Sequence, residues 1–585
     1  MIELKTTESS SPGGPAAHGS TGGHEFPRFD DSYRRRWVSA GMWTDQTLHD
    51  LFDETVSERP DSIAVITRNR RMSFAEYQAE SGALAAGLVR AGVRRGDIVA
   101  VQLPNWIEFC LLQIALSRIG AVIQPVHCVF RERELRSLLR FCDTDFVVVP
   151  DRFEGHGYAD AVRDIRDDLP RLRKVIIARG DTPLDEGGGV PDGPEEVALE
   201  ALIDEGGRHL DRLETVTTDP DDVFYLNFTS GTEGDPKGFL HTHNTLISTF
   251  KNMSQALANL DPDIVNLTCS PMTHSFGHFT TYQCALAGIP MVLVDRYRPG
   301  DVLELIERER VTSISGTPAH LIGILHHPDF ASTDTTSVKS VSLGGARSSP
   351  ELMETLESVW GVRSANTYGM GENIIHTRTM PWDPEDKATE SVGRPLFGAE
   401  LKITDPSDHS RELPPGEIGD IMFRGPTLFV AYHKQPELTA ATRTDDGWFV
   451  TGDRGHVDDE GYLYFAGRAG EVINRGGTKI YPKAVEDLLV EHPDVEEAAV
   501  VGMPDERLGE RVCAYVVTRD GAVVDVEELR EFFAQQQAMK YLAPEAVIAV
   551  DELPMTPTGK VAKSALAQDA AERARADGGA RRRKP

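Results

Sequence analysis

The chain has few cysteines, and they form no pattern that would hold a metal or a disulfide framework. Its 585 residues include 6 cysteines, with no CxxC pair and no histidine cluster at zinc-ligand spacing. Scattered cysteines are typical of a protein kept in a reducing compartment. We therefore expect a cytoplasmic protein without a zinc-binding cluster.

Long hydrophobic runs and an excess of basic residues are also missing. The most apolar run, residues 109–122, is interrupted by Gln113 and Arg118, and no basic region followed by an apolar stretch opens the chain. We therefore expect neither a membrane span nor a signal peptide. The 61 Lys and Arg against 92 Asp and Glu give a net charge of −31, which disfavours nucleic-acid binding through bulk charge.

The composition that remains can form a large core. Apolar residues make up 40% of the chain and charged residues 26%, and the length predicts about four structural units of roughly 150 residues each. Two segments lack this composition. Residues 1–28 contain a stretch of Ser, Gly, Pro and His, and residues 569–585 end in basic residues, so we expect disordered tails at both.

Between these tails, helical periodicity alternates with short β-rich runs. The pattern predicts helices over 74–93, 106–119 and 131–141, and strands over 97–103, 121–125 and 145–149. Strict alternation of strands and helices indicates parallel sheets covered on both faces. The fold class is therefore α/β, with stacked, mainly parallel sheets and flanking helices in a large N-terminal domain, residues 29–469.

A glycine-rich stretch, residues 467–477, separates this pattern from a tighter one. Beyond it we predict helices over 482–490 and 526–534 and strands over 497–501 and 512–517. Few contacts cross a glycine-rich linker, which makes it a natural domain boundary. We expect a small α+β C-terminal domain over residues 470–568.

The most informative segment runs from residue 224 to 243, FYLNFTSGTEGDPKGFLHTH. A β-rich run is followed by small, hydroxyl-bearing and basic residues, namely Thr229, Ser230, Gly231, Thr232, Gly234, Lys237 and Gly238. Backbone N–H groups, hydroxyls and a lysine are what a polyphosphate needs. The Walker pattern is not met, because Pro236 precedes Lys237 and Gly238 follows it. A surface turn without function is the alternative that this loop alone leaves open.

The same segment resembles the signature loop of the ANL superfamily of adenylate-forming enzymes, which includes acyl-CoA synthetases, aryl-acid adenylating enzymes, peptide-synthetase adenylation domains and luciferases. The family's other motifs follow in its order: YGMGE at 368–372, TGD at 451–453, GR at 467–468 with NRGG at 474–477, and PTGK at 557–560. The resemblance covers residues 43–566. Agreement of all these motifs by chance is negligible.

The resemblance implies an ATP site and a mobile C-terminal domain. Lys560 would reach the α-phosphate and the acid, and Glu372 would hold Mg²⁺ on the phosphates. Thr229 and His274 would complete the catalytic set. Asp453 would accept hydrogen bonds from the ribose, with Arg468 beside it. The remaining implied nucleotide ligands are Ser230, Gly231, Thr232 and Lys237 around the phosphates, and Gly344, Gly345, Ala346, Tyr368 and Gly369 around the adenine.

The acid would lie beside the stretch SPMTHSFGH, residues 270–278, where the family has an aromatic residue or a histidine at the acid site. By resemblance this residue is His274, although a histidine satisfied within the core is the alternative. The other pocket candidates are Ser275, His278, Gly316 and Gly345. The dihydroxybenzoate branch has Asn after its histidine, whereas this chain has Ser275, which disfavours a catechol-type acid.

In the family the smaller domain rotates before the second step. The resemblance places the hinge at Gly470, where most relatives carry Asp or Lys, and the thiol tunnel at Arg475, Gly476 and Gly477. Carrier-loading ligases have a similar segment, so the sequence does not choose between CoA and a carrier protein. Gly371 is a second departure, because many relatives have Thr before the glutamate.

The sequence thus predicts an ATP-dependent carboxylic acid ligase that releases pyrophosphate and passes the acyl group to a thiol, with CoA as the first candidate and an aryl or alicyclic acid as substrate. One alternative is an aryl-acid adenylating enzyme that serves a carrier protein or an unusual nucleophile such as an amine or nitrite. A second is a non-catalytic nucleotide-binding regulator, for which Gly371 and Gly470 are the only support. A homodimer is compatible with the sequence.

Overall fold

The computed structural model describes residues 23–179, 195–228, 237–258, 263–344, 350–380, 382–396, 398–505, 507–536, 538–556 and 561–581. Two compact units divide the chain. The first contains the residues up to Glu400 and the segment Arg424–Phe449, and the second contains Leu401–Phe423 and the residues from Val450 onward. Among the described residues no helix is long and apolar enough to span a membrane. The six cysteines are all free thiols.

Helices of the first unit cover the faces of two sheets. They are α1 (Asp31–Ser39), α2 (Leu48–Glu58), α3 (Phe74–Ala91), α4 (Ile107–Ile119), α5 (Glu132–Cys142), α6 (Tyr158–Asp164), α7 (Leu199–Gly206), α8 (His243–Ala258), α9 (Ser275–Ala287), α10 (Pro299–Glu309), α11 (Pro318–Leu325), α12 (Pro350–Trp360), α13 (Glu385–Glu390) and α14 (Pro436–Ala441).

The strands of this unit are short and mostly buried. They are β1 (Ile63–Ile66), β2 (Arg71–Ser73), β3 (Ile98–Val101), β4 (Val122–Pro125), β5 (Phe146–Pro150), β6 (Arg152–Phe153), β7 (His156–Gly157), β8 (Lys174–Ala178), β9 (Glu196–Ala198), β10 (Val223–Phe228), β11 (Gly238–Thr242), β12 (Asn266–Thr268), β13 (Met291–Leu293), β14 (Ser313–Gly316), β15 (Ser340–Leu343), β16 (Ala365–Tyr368), β17 (Thr377–Arg378) and β18 (Arg394–Pro395).

These strands form two large sheets with parallel centres. One has the order β18-β17-β16-β15-β14-β12-β13-β1-β2, and the other β11-β10-β4-β3-β5-β8-β9, while β6 and β7 form a separate ribbon. From β16 to β1 and from β10 to β9 neighbouring strands are parallel, and antiparallel strands occupy three of the four sheet edges. One apolar cluster includes residues of both sheets and of α2, α3, α4 and α9. The predicted fold class is confirmed.

Local sequence signals explain where the helices begin and end. In α3, Ser73 and Glu76 form a reciprocal capping box, and Gly92 closes the helix in the left-handed region at φ +102°. The helix α4 ends at Gly120 in the same way. The three predicted helices and three predicted strands between residues 74 and 149 are all present, with bounds that differ by one or two residues.

The described residues of the second unit form two further sheets and three α-helices. Its strands are β19 (Glu400–Asp405), β20 (Asp408–Glu412), β21 (Gly419–Arg424), β22 (Phe449–Val457), β23 (Leu463–Arg468), β24 (Ile473–Arg475), β25 (Thr478–Ile480), β26 (Val495–Asp505), β27 (Gly509–Thr518) and β28 (Ala546–Ala549). Its helices are α15 (Pro482–Val490), α16 (Val526–Gln535) and α17 (Lys563–Arg581). The sheet orders are β20-β19-β21-β22-β23 and β25-β24-β27-β26, with β28 parallel to β27.

Three features differ from the sequence expectations. Residues 23–28, assigned to a tail, include a buried His24 whose ring bonds to Asp145 at 2.7 Å. Residues 569–581, assigned to the other tail, continue α17, where Asp569 accepts a hydrogen bond from Tyr515 at 2.6 Å. The second compact unit also includes residues well before 470. Composition could not reveal these long-range partners, because each polar group is satisfied by a residue distant in sequence.

Candidate functional site

Several predicted site residues lie outside the described part of the chain. These are Thr229, Ser230, Gly231, Thr232, Gly345, Ala346 and Lys560. The described residues that border the glycine-rich segment are Phe228, which ends β10, and Lys237, which is exposed and directly precedes β11. The two strands pair antiparallel.

Three other predicted residues of the first unit lie at the carboxyl ends of adjacent parallel strands. Gly316 ends β14, Gly344 follows β15, and Tyr368 ends β16; these three strands are neighbours in the larger sheet. The backbone N–H of Gly344 donates to the carbonyl of Gly316 at 3.1 Å. In open α/β sheets this edge is where ligands bind.

The loop after β16 is tightly wound. A Cβ added to Gly369 would lie 2.0 Å from the carbonyl oxygen of Ile374, so only glycine fits there. Ile374 itself is buried and has φ +61°, a conformation that costs a β-branched residue about 1–3 kcal/mol. The surrounding contacts must hold this strained loop in place, and Glu372 lies within it.

Glu372 is a buried carboxylate with a tyrosine as partner. Its exposed fraction is 5%, and Oε1 accepts a hydrogen bond from the hydroxyl of Tyr432 at 2.7 Å. The backbone carbonyl of Glu372 accepts from the N–H of Phe429 at 2.7 Å. Burial, followed by the neighbouring Glu372 charge, raises the pKa of Tyr432 well above its usual value, so the phenol stays protonated and donates.

Gly371, the departure from the family pattern, is packed against an aromatic ring. A Cβ at this position would lie 2.2 Å from Cε1 of Phe239, which is itself buried on β11. The carbonyl of Gly371 accepts a hydrogen bond from Nε2 of His241 at 2.7 Å. Burial lowers the pKa of His241 to about 4, so the ring is neutral at pH 7.

His274 caps the helix that carries the acid-pocket candidates. Its ring nitrogen Nδ1 accepts from the N–H of Phe276 at 3.2 Å, at the first turn of α9. The hydroxyls of Ser275 and Tyr225 lie 3.3 Å apart, and Nδ2 of Asn227 donates to the Tyr225 hydroxyl at 2.6 Å. Side chains of β10 and of the first turn of α9 thus form a polar cluster.

Phe276 lies between these elements and the larger sheet. A Cβ at Gly344 would be 2.9 Å from Cε2 of Phe276, so the ring lies directly on the glycine backbone. The absence of a side chain at Gly344 therefore admits the aromatic ring. The structure thereby brings together His274, Ser275, Gly344 and Gly316, the last through the Gly344 hydrogen bond.

His278 lies deeper than its predicted place at the pocket wall. It is fully buried, Nδ1 bonds to the carbonyl of Met272 at 3.2 Å, and its ring centroid lies 4.6 Å from that of Tyr225 and 5.0 Å from that of Tyr282. Burial lowers the pKa of His278 to about 3. These contacts are those of a core histidine behind the Tyr225 ring.

In the second unit, Asp453 and Arg468 are partners across neighbouring strands. They face each other in the β22–β23 pair, with Oδ1 of Asp453 3.8 Å from Nε of Arg468. Asp453 is buried, whereas the Arg468 side chain is 60% exposed. The N–H of Asp453 donates to the hydroxyl of Thr451 at 3.0 Å, within the TGD stretch of β22.

The tunnel and hinge candidates also lie in the second unit. Arg475 donates two hydrogen bonds to Glu545, at 2.9 and 2.8 Å, and this pairing raises the pKa of Arg475 and lowers that of Glu545. Gly476 and Gly477 have φ +56° and +91°, in the region that favours glycine. A Cβ at Gly470 would meet nothing within 4 Å.

Sequence reasoning missed several residues around Glu372 and Ser275. Tyr225 and Asn227 are two positions apart on β10 and therefore lie on the same face of the strand. The polar Asn227 inside a β-rich run could have marked this face as part of the site. His241, Phe239 and Tyr432 gave no comparable signal. Tyr432 lies 60 positions from Glu372, and only the fold brings the two together.

Comparison with known proteins agrees with the motifs. The family described as AMP-binding enzyme matches residues 52–433, and the AMP-binding enzyme C-terminal domain matches residues 484–560. The chain is 31% identical over 545 residues to the medium-chain fatty-acid–CoA ligase of Escherichia coli K12, covering 92% of this chain and 93% of the relative. It is also 31% identical over 553 residues to the 2,3-dihydroxybenzoate-AMP ligase of Bacillus subtilis, covering 94% and 98%.

A solved structure extends this likeness to the fold. ATP-bound MatB from Rhodopseudomonas palustris superimposes with a TM-score of 0.77 at 28% identity, covering 90% of this chain and 99% of that one. The two family models, AMP-binding enzyme and its C-terminal domain, match successive parts of this chain. The chain therefore belongs to the AMP-binding enzymes, the ANL superfamily of ATP-dependent adenylate-forming ligases.

Proposed function

We propose that this chain is an AMP-forming carboxylic acid ligase that transfers the acyl group of an aryl or alicyclic acid to the thiol of CoA. The observation that carries the proposal is the buried Glu372 carboxylate on the strained loop that follows Tyr368, at the carboxyl edge of the parallel sheet. The similarity to an acyl-CoA ligase over 93% of that relative's length supports CoA as the acceptor.

The first step needs electrostatic stabilisation more than proton transfer. A carboxylic acid is ionised at pH 7, so its attack on the α-phosphorus requires no general base, and cations offset the charge that shifts to the bridging oxygen. Lys237 and Lys560 are our candidates for this role, with Thr229, Ser230, Gly231 and Thr232 donating to the phosphates. In the second unit, Asp453 would bind the ribose hydroxyls, with Arg468 beside it.

The residues around Glu372 fit a magnesium ion brought by the nucleotide. Mg²⁺ prefers one or two carboxylates together with phosphate oxygens and water. Within the described ranges, no group of three or more His, Cys, Asp or Glu side chains could hold a metal ion. Mg²⁺ would neutralise phosphate charge during adenylation.

The acid would bind beside His274, with Ser275, Gly316 and Gly345 as further wall positions. The Phe276 ring on Gly344 supplies an apolar surface, and the Tyr225 and Ser275 hydroxyls supply polar groups. A flat ring with one polar substituent suits such a lining better than a long flexible chain does. We infer that His278 acts behind this surface by supporting Tyr225.

The second step is assigned to residues 470–568 as a domain that turns about Gly470 relative to residues 29–469. Gly476 and Gly477 would leave room for a pantetheine arm, because neither has a side chain. Arg475 would orient the strand that precedes them through its pair with Glu545. The second candidate acceptor is a carrier protein; one similar relative is named as an AMP ligase, a name that includes no CoA.

The decisive experiment measures acid-dependent pyrophosphate release with MgATP over fatty, alicyclic, benzoic, cinnamic and amino-substituted aryl acids, with and without CoA, followed by mass spectrometry. An acyl-CoA product from a ring acid supports the proposal. Acid-dependent release without a CoA adduct would instead support a carrier protein or another nucleophile. No release with any acid would support the regulator.

A pair of lysine variants tests the division of labour between the two steps. Lys560→Ala should abolish adenylate formation from acid and ATP, yet leave thiolysis of a supplied adenylate largely intact. Lys540→Ala is the matched control, because Lys540 is an exposed lysine of the same unit. Loss of both steps in folded Lys560→Ala would contradict the two-conformation mechanism.

A further inference from the structure

The hydroxyl of Tyr432 is a side-chain donor to the Glu372 carboxylate. The two side chains meet at 2.7 Å, and each residue is only 5% exposed. A hydrogen bond from a neutral donor to a carboxylate is shorter and stronger than one between neutral groups. In a buried location it also limits how the carboxylate can rotate.

Tyr432 is itself held from several directions. The segment that carries it runs antiparallel to β11, with the Val430 N–H on the Leu240 carbonyl at 2.7 Å. The Tyr432 N–H donates to the hydroxyl of Thr439 at 2.9 Å. Its ring contacts that of Phe429, with centroids 4.8 Å apart. The phenol therefore approaches Glu372 from a fixed position.

Both β11 and the segment that carries Tyr432 also donate hydrogen bonds to the backbone around Glu372. From the Tyr432 segment, Phe429 donates to the Glu372 carbonyl, and from β11, His241 donates to the Gly371 carbonyl, both at 2.7 Å. Because β11 begins directly after Lys237, the strand that holds this backbone also follows the lysine proposed to bind phosphate. The Tyr432 hydroxyl contacts the carboxylate itself.

We propose that Tyr432 is a positioning residue for Glu372, which orients the carboxylate toward the magnesium ion of MgATP. The inference rests on the proposed function, because it takes Glu372 as the metal-binding residue. Mg²⁺ demands near-ideal octahedral geometry, so a carboxylate free to rotate binds it less well. Loss of such outer partners commonly costs 10- to 100-fold in metal affinity.

The test compares Tyr432→Phe with Tyr77→Phe. The first variant keeps the ring and all backbone contacts and removes the hydroxyl on Glu372. The second removes an equally buried hydroxyl that donates to the Cys110 carbonyl at 2.8 Å, away from the site. Calorimetry measures ATP binding to each protein with Mg²⁺ and with EDTA, at a temperature where circular dichroism shows both variants folded.

We expect Tyr432→Phe to weaken MgATP binding about 10-fold or more and to leave ATP binding in EDTA unchanged. Tyr77→Phe should match the wild type in both. A Glu372→Gln background gives a second measurement: there, adding Tyr432→Phe should change MgATP affinity little. Equal MgATP affinities for wild type and folded Tyr432→Phe, or an equal loss in EDTA, would overturn the inference.

These outcomes are separable from failure of the proposed function. If the wild type released pyrophosphate with none of the acids tested, the ligase proposal would fail. The comparison of MgATP binding would still test Tyr432. If the wild type formed an acyl-adenylate, the Mg²⁺ concentration for half-maximal rate should rise in Tyr432→Phe. An unchanged Mg²⁺ dependence would leave the ligase proposal intact and reject the positioning role.

Discussion

The ring of Phe239 occupies the space that a side chain at position 371 would need, because a Cβ added to Gly371 would lie 2.2 Å from Cε1 of that ring. The glycine before Glu372 is thus matched to an aromatic residue on β11. From the sequence, Gly371 was a possible sign of lost activity. The contact instead indicates a compensated pair, in which bulk on the strand replaces bulk on the loop.

A double-mutant cycle tests this pairing. Gly371→Ala should destabilise the protein by about 1–3 kcal/mol, because the added methyl overpacks the ring. Phe239→Leu should also destabilise it by leaving a cavity. In the double variant the methyl can occupy part of that cavity, so the combined loss should be smaller than the sum of the two.

Thermal unfolding temperatures of the four proteins provide the measurement. Fully additive losses would show that Gly371 and Phe239 do not share the same space. The wild type and the two single variants serve as internal references, and circular dichroism at 20 °C checks that each protein is folded.

Two glycines within α3 form a matched pair for a second prediction. A Cβ at Gly87 would lie 2.1 Å from the Leu202 carbonyl oxygen, where α7 crosses closely, whereas a Cβ at Gly82 would meet nothing within 4 Å. Gly87→Ala should therefore lower the unfolding temperature by forcing the helices apart. Gly82→Ala should leave it unchanged or raise it, since alanine is favoured by about 1 kcal/mol in a helix.

The readout is differential scanning calorimetry of both variants and the wild type. Similar behaviour of Gly82→Ala and Gly87→Ala would contradict the close approach of α3 and α7. The comparison is sharp because both substitutions make the same chemical change in the same helix.

The sequence predicted what depends on local pattern. The limits of α3, α4 and α15 follow from periodicity, caps and a proline near the first turn, so those predictions agree within one or two residues. Motif order predicted the family. Adjacency was harder, because the sheet order that brings β14, β15 and β16 side by side is set by packing over long distances.

The site shows the same division. Glu372 and Ser275 could be named from their motifs, but the residues that contact them could not. Tyr432 contacts Glu372 across 60 residues and Tyr225 contacts Ser275 across 50, and both contacts form only in the folded state. The structure buries His278 in the core behind Tyr225, whereas the motif predicted a pocket-wall residue. No local pattern in the sequence distinguishes these two positions.

The core position of His278 predicts a share of the protein's acid sensitivity. Its pKa is lowered from 6.5 to about 3 in the folded state, so below pH 6.5 the unfolded chain binds a proton that the native protein does not. Stability therefore falls as the pH is lowered from about 6.5 toward 3. The loss of folding stability that His278 causes should reach about 2 kcal/mol at pH 5.

His278→Leu removes this share. We expect the drop in unfolding temperature between pH 7 and pH 5 to be smaller in the variant than in the wild type, whatever its stability at pH 7. His326→Gln is the control, because it removes an exposed histidine that lies outside the core. An unaltered drop in His278→Leu would show that this histidine is not kept neutral by burial.

Gly470 gives a prediction that separates the two proposed half-reactions. It lies in the short turn Ala469–Glu471, where an alanine Cβ would meet nothing within 4 Å, so Gly470→Ala should fold as stably as the wild type. Acid-dependent exchange of pyrophosphate into ATP should also proceed at the wild-type rate. If rotation takes residue 470 into the left-handed region, alanine costs about 1–2 kcal/mol there, which corresponds to a roughly 5- to 30-fold slower transfer to the thiol. Rapid-quench measurement of both steps decides the matter, with Gly82→Ala as the control, and transfer at the wild-type rate would remove Gly470 as a hinge that uses its glycine conformation.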